Sequence, residues 1–277
     1  MDSHASINSI PNEILLSILD FFRTAHLLPL AAVNRRFSSL VLRLIRQRLI
    51  RGASLPNHRL ILECYHPSAK LSTPYLFCDY LFTDGLEDPA TDPLTLPGLR
   101  GAYSHFRPVA QDENQRARRR YPRAEGSSST PPVEPPTQDV FLDETEPFSQ
   151  LCAVTNLVEV GPKPGLFLSH VNVGDGVVRV WRDWLAAQAR NREGVGAPIL
   201  WADARQSVGV RFRVRRREGE WVRAPVLVAA DEEEPVTYRL EFDEVVVRAG
   251  ELLVGLERSE EQGVTTSGKA VMIVSSG

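Results

Sequence analysis

Three stretches carry residue types that could do chemistry, and each falls short of a complete set. Gly263, Gly268 and Lys269 stand at the G-x-x-x-x-G-K spacing of a loop that turns its amides onto a phosphate. Ala270 then occupies the place of the magnesium-binding hydroxyl, and a strand-like VMIV follows where a helix is required, so the stretch reads as a hairpin. Cys64, His66, Cys78 and Asp79 are metal-ligand types, but C-x-H-x11-C lacks the paired short spacings of a structural zinc site. They read as buried structural cysteines, and no metal or cofactor is expected. The run Asp231 to Glu234 could draw a hard cation, yet no glycine-punctuated calcium loop surrounds it, so it reads as a solvated turn. With no G-x-S-x-G, H-E-x-x-H or paired C-x-x-C, the chain is expected to be non-catalytic.

A fourth group could bind rather than react. Arg211, Arg213 and Arg215 share one face of a strand whose other face carries Val208, Val210, Phe212 and Val214, with Arg216, Arg217 and Arg223 around the turn that follows. Like charges two residues apart reinforce one another and can hold an acidic or phosphorylated segment through bidentate contacts. The same pattern also fits a solvated outer face balanced by Glu241 or Glu251 across the sheet.

The elements that would position these residues change character along the chain. From Phe148 onward short alternating runs predict strands. Besides Val208 to Arg215, they are Val154 to Val160, Leu166 to Val173, Val177 to Val180, Leu200 to Ala202, Val226 to Val228, Val236 to Phe242, Leu252 to Leu256 and Val271 to Val274. Trp181, Trp184, Leu185 and Gln188 keep helical spacing until Gly194. An earlier strand is expected around Leu60, Leu62 and Cys64. Residues 111–146, with an arginine run and then Ser and Pro, cannot bury enough apolar surface to offset the entropy of ordering and are expected to be a disordered insertion. The RARRRYPR run within it also has the composition of a nuclear-import signal.

The N-terminal stretch Ile10 to Leu49 is helical in pattern. Glu13, Ser17 and Asp20 form a narrow polar stripe, and Ile14, Leu15, Leu16, Ile18, Leu19, Phe21 and Phe22 cover most of the remaining circumference. Thr24 can cap a short helix bearing Leu27, Leu28 and Leu30, and Asn34 a longer one with Phe37, Leu40, Val41, Leu44 and Ile45 on one face. A unit this small and this apolar must be covered, either by a partner or by the rest of its own chain.

The order Ile10-Pro11-x-Glu13-Ile14-Leu15-x-x-Ile18-Leu19, then Leu27-Leu28, then Val33-Asn34-Arg35-Arg36-Phe37 with Leu40, resembles the F-box. That resemblance implies docking on a Skp-type adaptor, and through it on a cullin. Ile10, Pro11, Ile14, Leu15, Ile18, Leu19, Leu27, Leu28, Val33, Arg36 and Phe37 would contribute, directly or by packing the small core. Ile10 replaces the usual leucine, and Pro29 falls where the second helix should run, which is expected to shorten or kink it. The stretch ECYHPSAKL is similar to F-box proteins of one fungal group. VRVWRDW, VGVRFRV and YRLEF resemble strands of the lectin-like domain that follows the F-box in phloem-lectin proteins.

The expected fold is therefore α+β: an F-box of three helices at 1–52, the first strands of a β domain at 53–110, the insertion at 111–146, and an antiparallel β-sandwich or jelly-roll-like body at 147–277. The expected function is that of a substrate-recognition subunit of a Skp-cullin-F-box ubiquitin ligase, presenting a glycosylated or phosphorylated protein target. The alternative is a lectin-like protein that binds carbohydrate or a small ligand and is recruited through its F-box. A third class, a basic helix on a membrane surface or nucleic acid, rests on the absence of any Asp or Glu from Phe21 to Leu62, where eight arginines lie. That stretch reads instead as a solvated face beside an acidic partner, and the net charge of −3 gives no general pull toward nucleic acid. Three unpaired-looking cysteines fit a reducing cytoplasmic or nuclear compartment, and neither a signal peptide nor an apolar run of membrane-spanning length is seen.

Overall fold

The computed structural model describes residues 7–53, 55, 57–70, 72–86, 95, 98, 101–110, 135–162, 166–191, 197–217, 234–265 and 271–272. Three helices come first: α1 (Asn12–Leu19), α2 (Thr24–Leu30) and α3 (Arg35–Ala53). The carbonyl of Pro11, at the N-cap of α1, accepts the N–H of Leu15. Asn34 caps α3 as its type predicts, its Oδ1 accepting the N–H of Phe37 at 2.9 Å. Phe37, Leu40, Val41, Leu44, Ile45 and Leu49 then recur at helical spacing and are all buried. Pro29 lies within α2, which ends one residue later. Thr24 does not cap that helix: Arg23 holds the N-cap position, and the Thr24 side chain is used elsewhere.

The remaining strands are β1 (His58–Tyr65), β2 (Leu76–Thr83), β3 (Tyr103–Val109), β4 (Thr137–Leu142), β5 (Phe148–Val160), β6 (Leu166–Trp181), β7 (Leu200–Trp201), β8 (Val208–Arg217), β9 (Val236–Arg248) and β10 (Val271–Met272). Helix α4 (Arg182–Arg190) follows β6, and helix α5 (Ala249–Thr265) follows β9. Every pairing is antiparallel, in the order β10-β6-β5-β1-β2-β3-β9-β8-β7, with β4 on the first half of β9. The expected antiparallel α+β fold thus takes the form of one sheet curled into a nearly closed barrel. Its seam is made just beyond β7, where Val177 N–H donates to the Ala202 carbonyl at 3.1 Å. Two glycines let the chains meet there: a Cβ at Gly174 would lie 2.6 Å from a methyl of Val208, and one at Gly176 would lie 2.6 Å from the Ala202 carbonyl carbon.

Alternation fills the barrel. Leu60, Leu62 and Cys64 of β1, Leu151, Ala153 and Leu157 of β5, Val208, Val210, Phe212 and Val214 of β8, and Val236, Tyr238, Leu240 and Phe242 of β9 join one core with Leu185 of α4 and Leu252 and Leu256 of α5. A second core belongs to the three N-terminal helices, but Ala102, Ala249 and Leu253 are part of it.

Several expectations are corrected. Leu252 to Leu256 is helix, not strand: Ala249, Leu252, Leu253 and Leu256 follow the helical period, and two cores claim them. Leu166 to Val173 and Val177 to Val180 are one continuous strand, which absorbs a register shift opposite Thr155 and Asn156. The stretch expected to be disordered is ordered at its end, since Thr137–Leu142 form β4, with Val140 and Leu142 buried; residues 111–134, including the arginine run, lie outside the described residues. So does the expected strand Val226 to Val228, and so do 231–233 of the acidic run. Gly263 and Thr265 close helix α5 instead of opening a hairpin, so a helix precedes the glycine spacing where a phosphate-binding loop would have it follow. Residues 266–270 are outside the described set.

Candidate functional site

The residues attributed to adaptor docking separate into two groups. Leu15, Leu19, Leu27 and Phe37 turn inward and make the core of the helical unit, and Ile10 packs against it. Ile14, Ile18, Leu28 and Val33 turn outward and are 53%, 44%, 51% and 63% exposed, with Pro11 exposed beside them. The i, i+4 spacing explains the division: Leu15 and Leu19 share one side of α1, Ile14 and Ile18 the next. Arg36 is structural in effect, donating to Asn12 Oδ1 at 2.7 Å and to the Ile10 carbonyl, which ties the start of α3 to the start of α1. Phe21, 91% exposed, and Phe22 extend the apolar surface at the end of α1. They stood in the sequence as part of the apolar circumference, but nothing in that pattern distinguished them as surface.

Arg48 gathers the chain between α1 and α2. Its guanidinium donates to the Phe22 carbonyl at 2.6 Å, to the Asp20 carbonyl at 2.9 Å and to Glu257 Oε1 at 3.1 Å. Glu257, on α5, also accepts the Thr24 hydroxyl at 2.6 Å and the Thr24 N–H at 3.1 Å. A carboxylate at the positive end of α2 is the favourable placement for both. Around this junction lies a cleft of about 730 Å³, lined by Phe21, Arg51, His58 and Glu260 among others.

On the barrel, Arg211, Arg213 and Arg215 do share the outer face of β8, and each meets a carboxylate of β9. Arg211 pairs with Glu244, Arg213 with Asp243 at 2.7 Å, and Arg215 with Glu241 at 2.7 Å. The ladder continues through Arg217 and Arg239, which share Asp139 of β4 at 2.7 and 2.9 Å. The hydrogen bond from Arg239 is the largest influence on the Asp139 carboxyl; together with the charges of both guanidiniums it outweighs the opposing effect of burial and holds the group below the usual carboxylate range. Glu244 also meets His105 Nδ1 at 2.6 Å, whose Nε2 meets Asp84 at 3.2 Å while its ring stacks on Phe82. An anionic target on this face would share or replace the β9 carboxylates.

The metal-ligand types of β1 and β2 are divided by the sheet. Cys64 and Cys78 point into the barrel, whereas Asp79 pairs with Arg59 at 2.7 Å outside and His66 bonds Ser68 at the turn. Burial, with the charge of Cys152, pushes the Cys64 thiol up to about 12, and burial pushes Cys78 up as well, so neither yields a thiolate near neutral pH. Among the described residues no group of three or more His, Cys, Asp or Glu is placed to hold a metal ion. On the outer face of β5 and β6, Trp181 is 49% exposed, its ring 4.9 Å from that of Phe148, over which Arg179 lies.

Comparison with known proteins gives these helices a class. Residues 7–51 match the model of the F-box-like family. The chain is therefore an F-box-like domain followed by an antiparallel β barrel. No curated protein and no solved structure matches it. No helix among the described residues is long and apolar enough to cross a membrane.

Proposed function

We propose that the chain is the substrate-recognition subunit of a Skp-cullin-F-box ubiquitin ligase, working in the cytoplasm or nucleus. The exposed face of α1 and α2 binds the Skp-type adaptor, and the barrel presents the target. The supporting observation is the outward set Ile14, Ile18, Leu28 and Val33 with Phe21 and Phe22: an apolar surface on an F-box-like domain that the described residues of the β domain leave uncovered. The contribution to ubiquitin transfer is proximity, which makes a bimolecular step effectively intramolecular. The test is co-purification of an Ile14→Asp/Ile18→Asp variant with a Skp-type adaptor. Loss of binding with an unchanged circular dichroism spectrum is expected; binding at wild-type yield overturns the reading.

For the target, the arginine face of β8 supports an acidic or phosphorylated segment, because the side chains of Arg213 and Arg215 stay exposed although each lies against a carboxylate. Replacing Arg211, Arg213 and Arg215 with Gln should abolish retention of phosphopeptides from an array; retention unchanged would leave the arginines as surface charge. The lectin-like alternative is favoured by Trp181, whose exposed ring beside Phe148 and Arg179 offers a stacking platform to a sugar. A glycan-array signal lost in Trp181→Ala would support it.

A further inference from the structure

Helix α5 belongs to both cores. Ala249 and Leu253 are buried among Leu15, Leu27, Phe37 and Val41 of the F-box, while Leu252 and Leu256 are buried in the barrel. At the same level Gly52 admits Leu256, since a Cβ there would stand 2.8 Å from the leucine methyl. Polar contacts then fix the helix along and across its axis. Glu257 binds the first N–H of α2, the Thr24 hydroxyl and Arg48, and Glu261 pairs with Arg23. On the barrel side Ser259, fully buried, meets His58 Nε2 at 2.8 Å and Ser169, and Gln262 accepts the His170 N–H at 3.1 Å.

A helix held on two sides by apolar packing cannot roll without opening one core, and the Glu257 contacts oppose its sliding. We infer that α5 is the strut that fixes the angle between the adaptor-binding face and the barrel, and that Glu257 is its positioning residue. This rests on the ligase reading for its purpose, since a ligase subunit must hold its target at a set distance from the transferred ubiquitin, but the rigidity itself does not. A carboxylate with few free directions, engaged by one backbone and two side-chain donors from two other helices, locks position more than it adds stability. It also means that the F-box here is not an autonomous module, because its core is completed by residues more than two hundred positions downstream.

The experiment places spin labels on the full chain at Arg43→Cys in α3 and Arg179→Cys in β6, both exposed, in a Cys152→Ser background, and measures their distance distribution. The unaltered junction should give one narrow distribution, and Glu257→Ala should broaden it while the barrel unfolding midpoint stays in place. An unchanged distribution in Glu257→Ala overturns the inference, as does a broad distribution with Glu257 intact. If Glu257→Ala does not fold, Thr24→Val and Glu257→Gln are read by the same criterion. Adaptor binding is measured in parallel: a narrow distribution that broadens in the variant, on a chain that binds no adaptor, keeps the strut and removes the ligase reading.

Discussion

Gly176 lies against the main chain of Ala202, so closely that a methyl group in place of its hydrogen would meet the carbonyl carbon at 2.6 Å. The neighbouring Val177 N–H makes the hydrogen bond that joins β6 to the end of β7. Backbone on both sides of the approach leaves nothing flexible to yield. Gly176→Ala is therefore expected to lower stability by about 1–3 kcal/mol, the usual cost of forcing extra volume into a packed site. Gly250, in the first turn of α5, is the control, since a Cβ there would have none of the described residues within 4 Å: Gly250→Ala should be neutral or stabilising by up to about 1 kcal/mol. Urea midpoints of the two variants compare directly, and equal shifts would show that the seam tolerates a side chain.

The two sides of α1 make a similar contrast. Leu15 is buried in the F-box core and Ile14 next to it is half exposed. Leu15→Ala should cost about 2–5 kcal/mol and Ile14→Ala about 0.5 kcal/mol or less. Thermal unfolding of the full chain checks this. Equal losses would place Ile14 in a core, and with it would go the surface on which adaptor docking depends.

Asp139 is a test of pH dependence. Its carboxyl is held below the usual range by Arg239 and Arg217, so the folded value is lower than the unfolded value of about 3.9. A depressed folded value means that the contribution is fully present above the unfolded value and is lost as pH falls through it toward the folded one. The three side chains are more than a third exposed, so solvent screening keeps the contribution under about 1 kcal/mol. Asp139→Asn should accordingly be slightly less stable than the parent at pH 7, with the difference shrinking between about pH 5 and pH 3. A difference that does not change with pH would mean that the variant acts through packing.

What was legible in the sequence was whatever depends on near neighbours along the chain. Asn34 with the apolar residues of α3, the alternation of β8 and β9, and the F-box order all rest on spacings of two to four residues. What was missed depends on distant ones. Leu252-Leu253-Val254-Gly255-Leu256 is a short apolar run between Glu251 and Glu257, for which strand and helix are indistinguishable until one core is seen to take Leu252 and Leu256 and the other Leu253. Glu257 sits in ERSEE, which reads as a solvated face, and only the fold brings it to Thr24. Val140 and Leu142 were lost in the Pro-rich composition around them, although β9 offers them a complete edge. The arginines were read as one face and Glu241 was named as a balancing charge, which it is for Arg215, but Asp243 and Glu244 were not named and Glu251 lies on α5, because the pairing follows from strand order, which no local pattern encodes.

Thr155 provides the last test. It lies on β5 between Ala153 and Leu157, both in the barrel core, and is fully buried, yet its hydroxyl has no hydrogen-bond partner among the described residues. A buried hydroxyl that has given up water without replacing it is unfavourable by about 1–3 kcal/mol. Valine has nearly the same shape, keeps the β-branch that suits a strand, and brings no polar group. Thr155→Val should therefore raise stability by about 1 kcal/mol, where a threonine with a satisfied hydroxyl would lose a comparable amount on the same change. Ser104 is the comparison, since its hydroxyl meets Thr83 Oγ1 at 2.8 Å, so Ser104→Ala should destabilise. Chemical denaturation of both variants decides the matter: if Thr155→Val loses stability as Ser104→Ala does, the Thr155 hydroxyl has a partner inside the barrel, and the barrel interior holds a polar group or water that binds it.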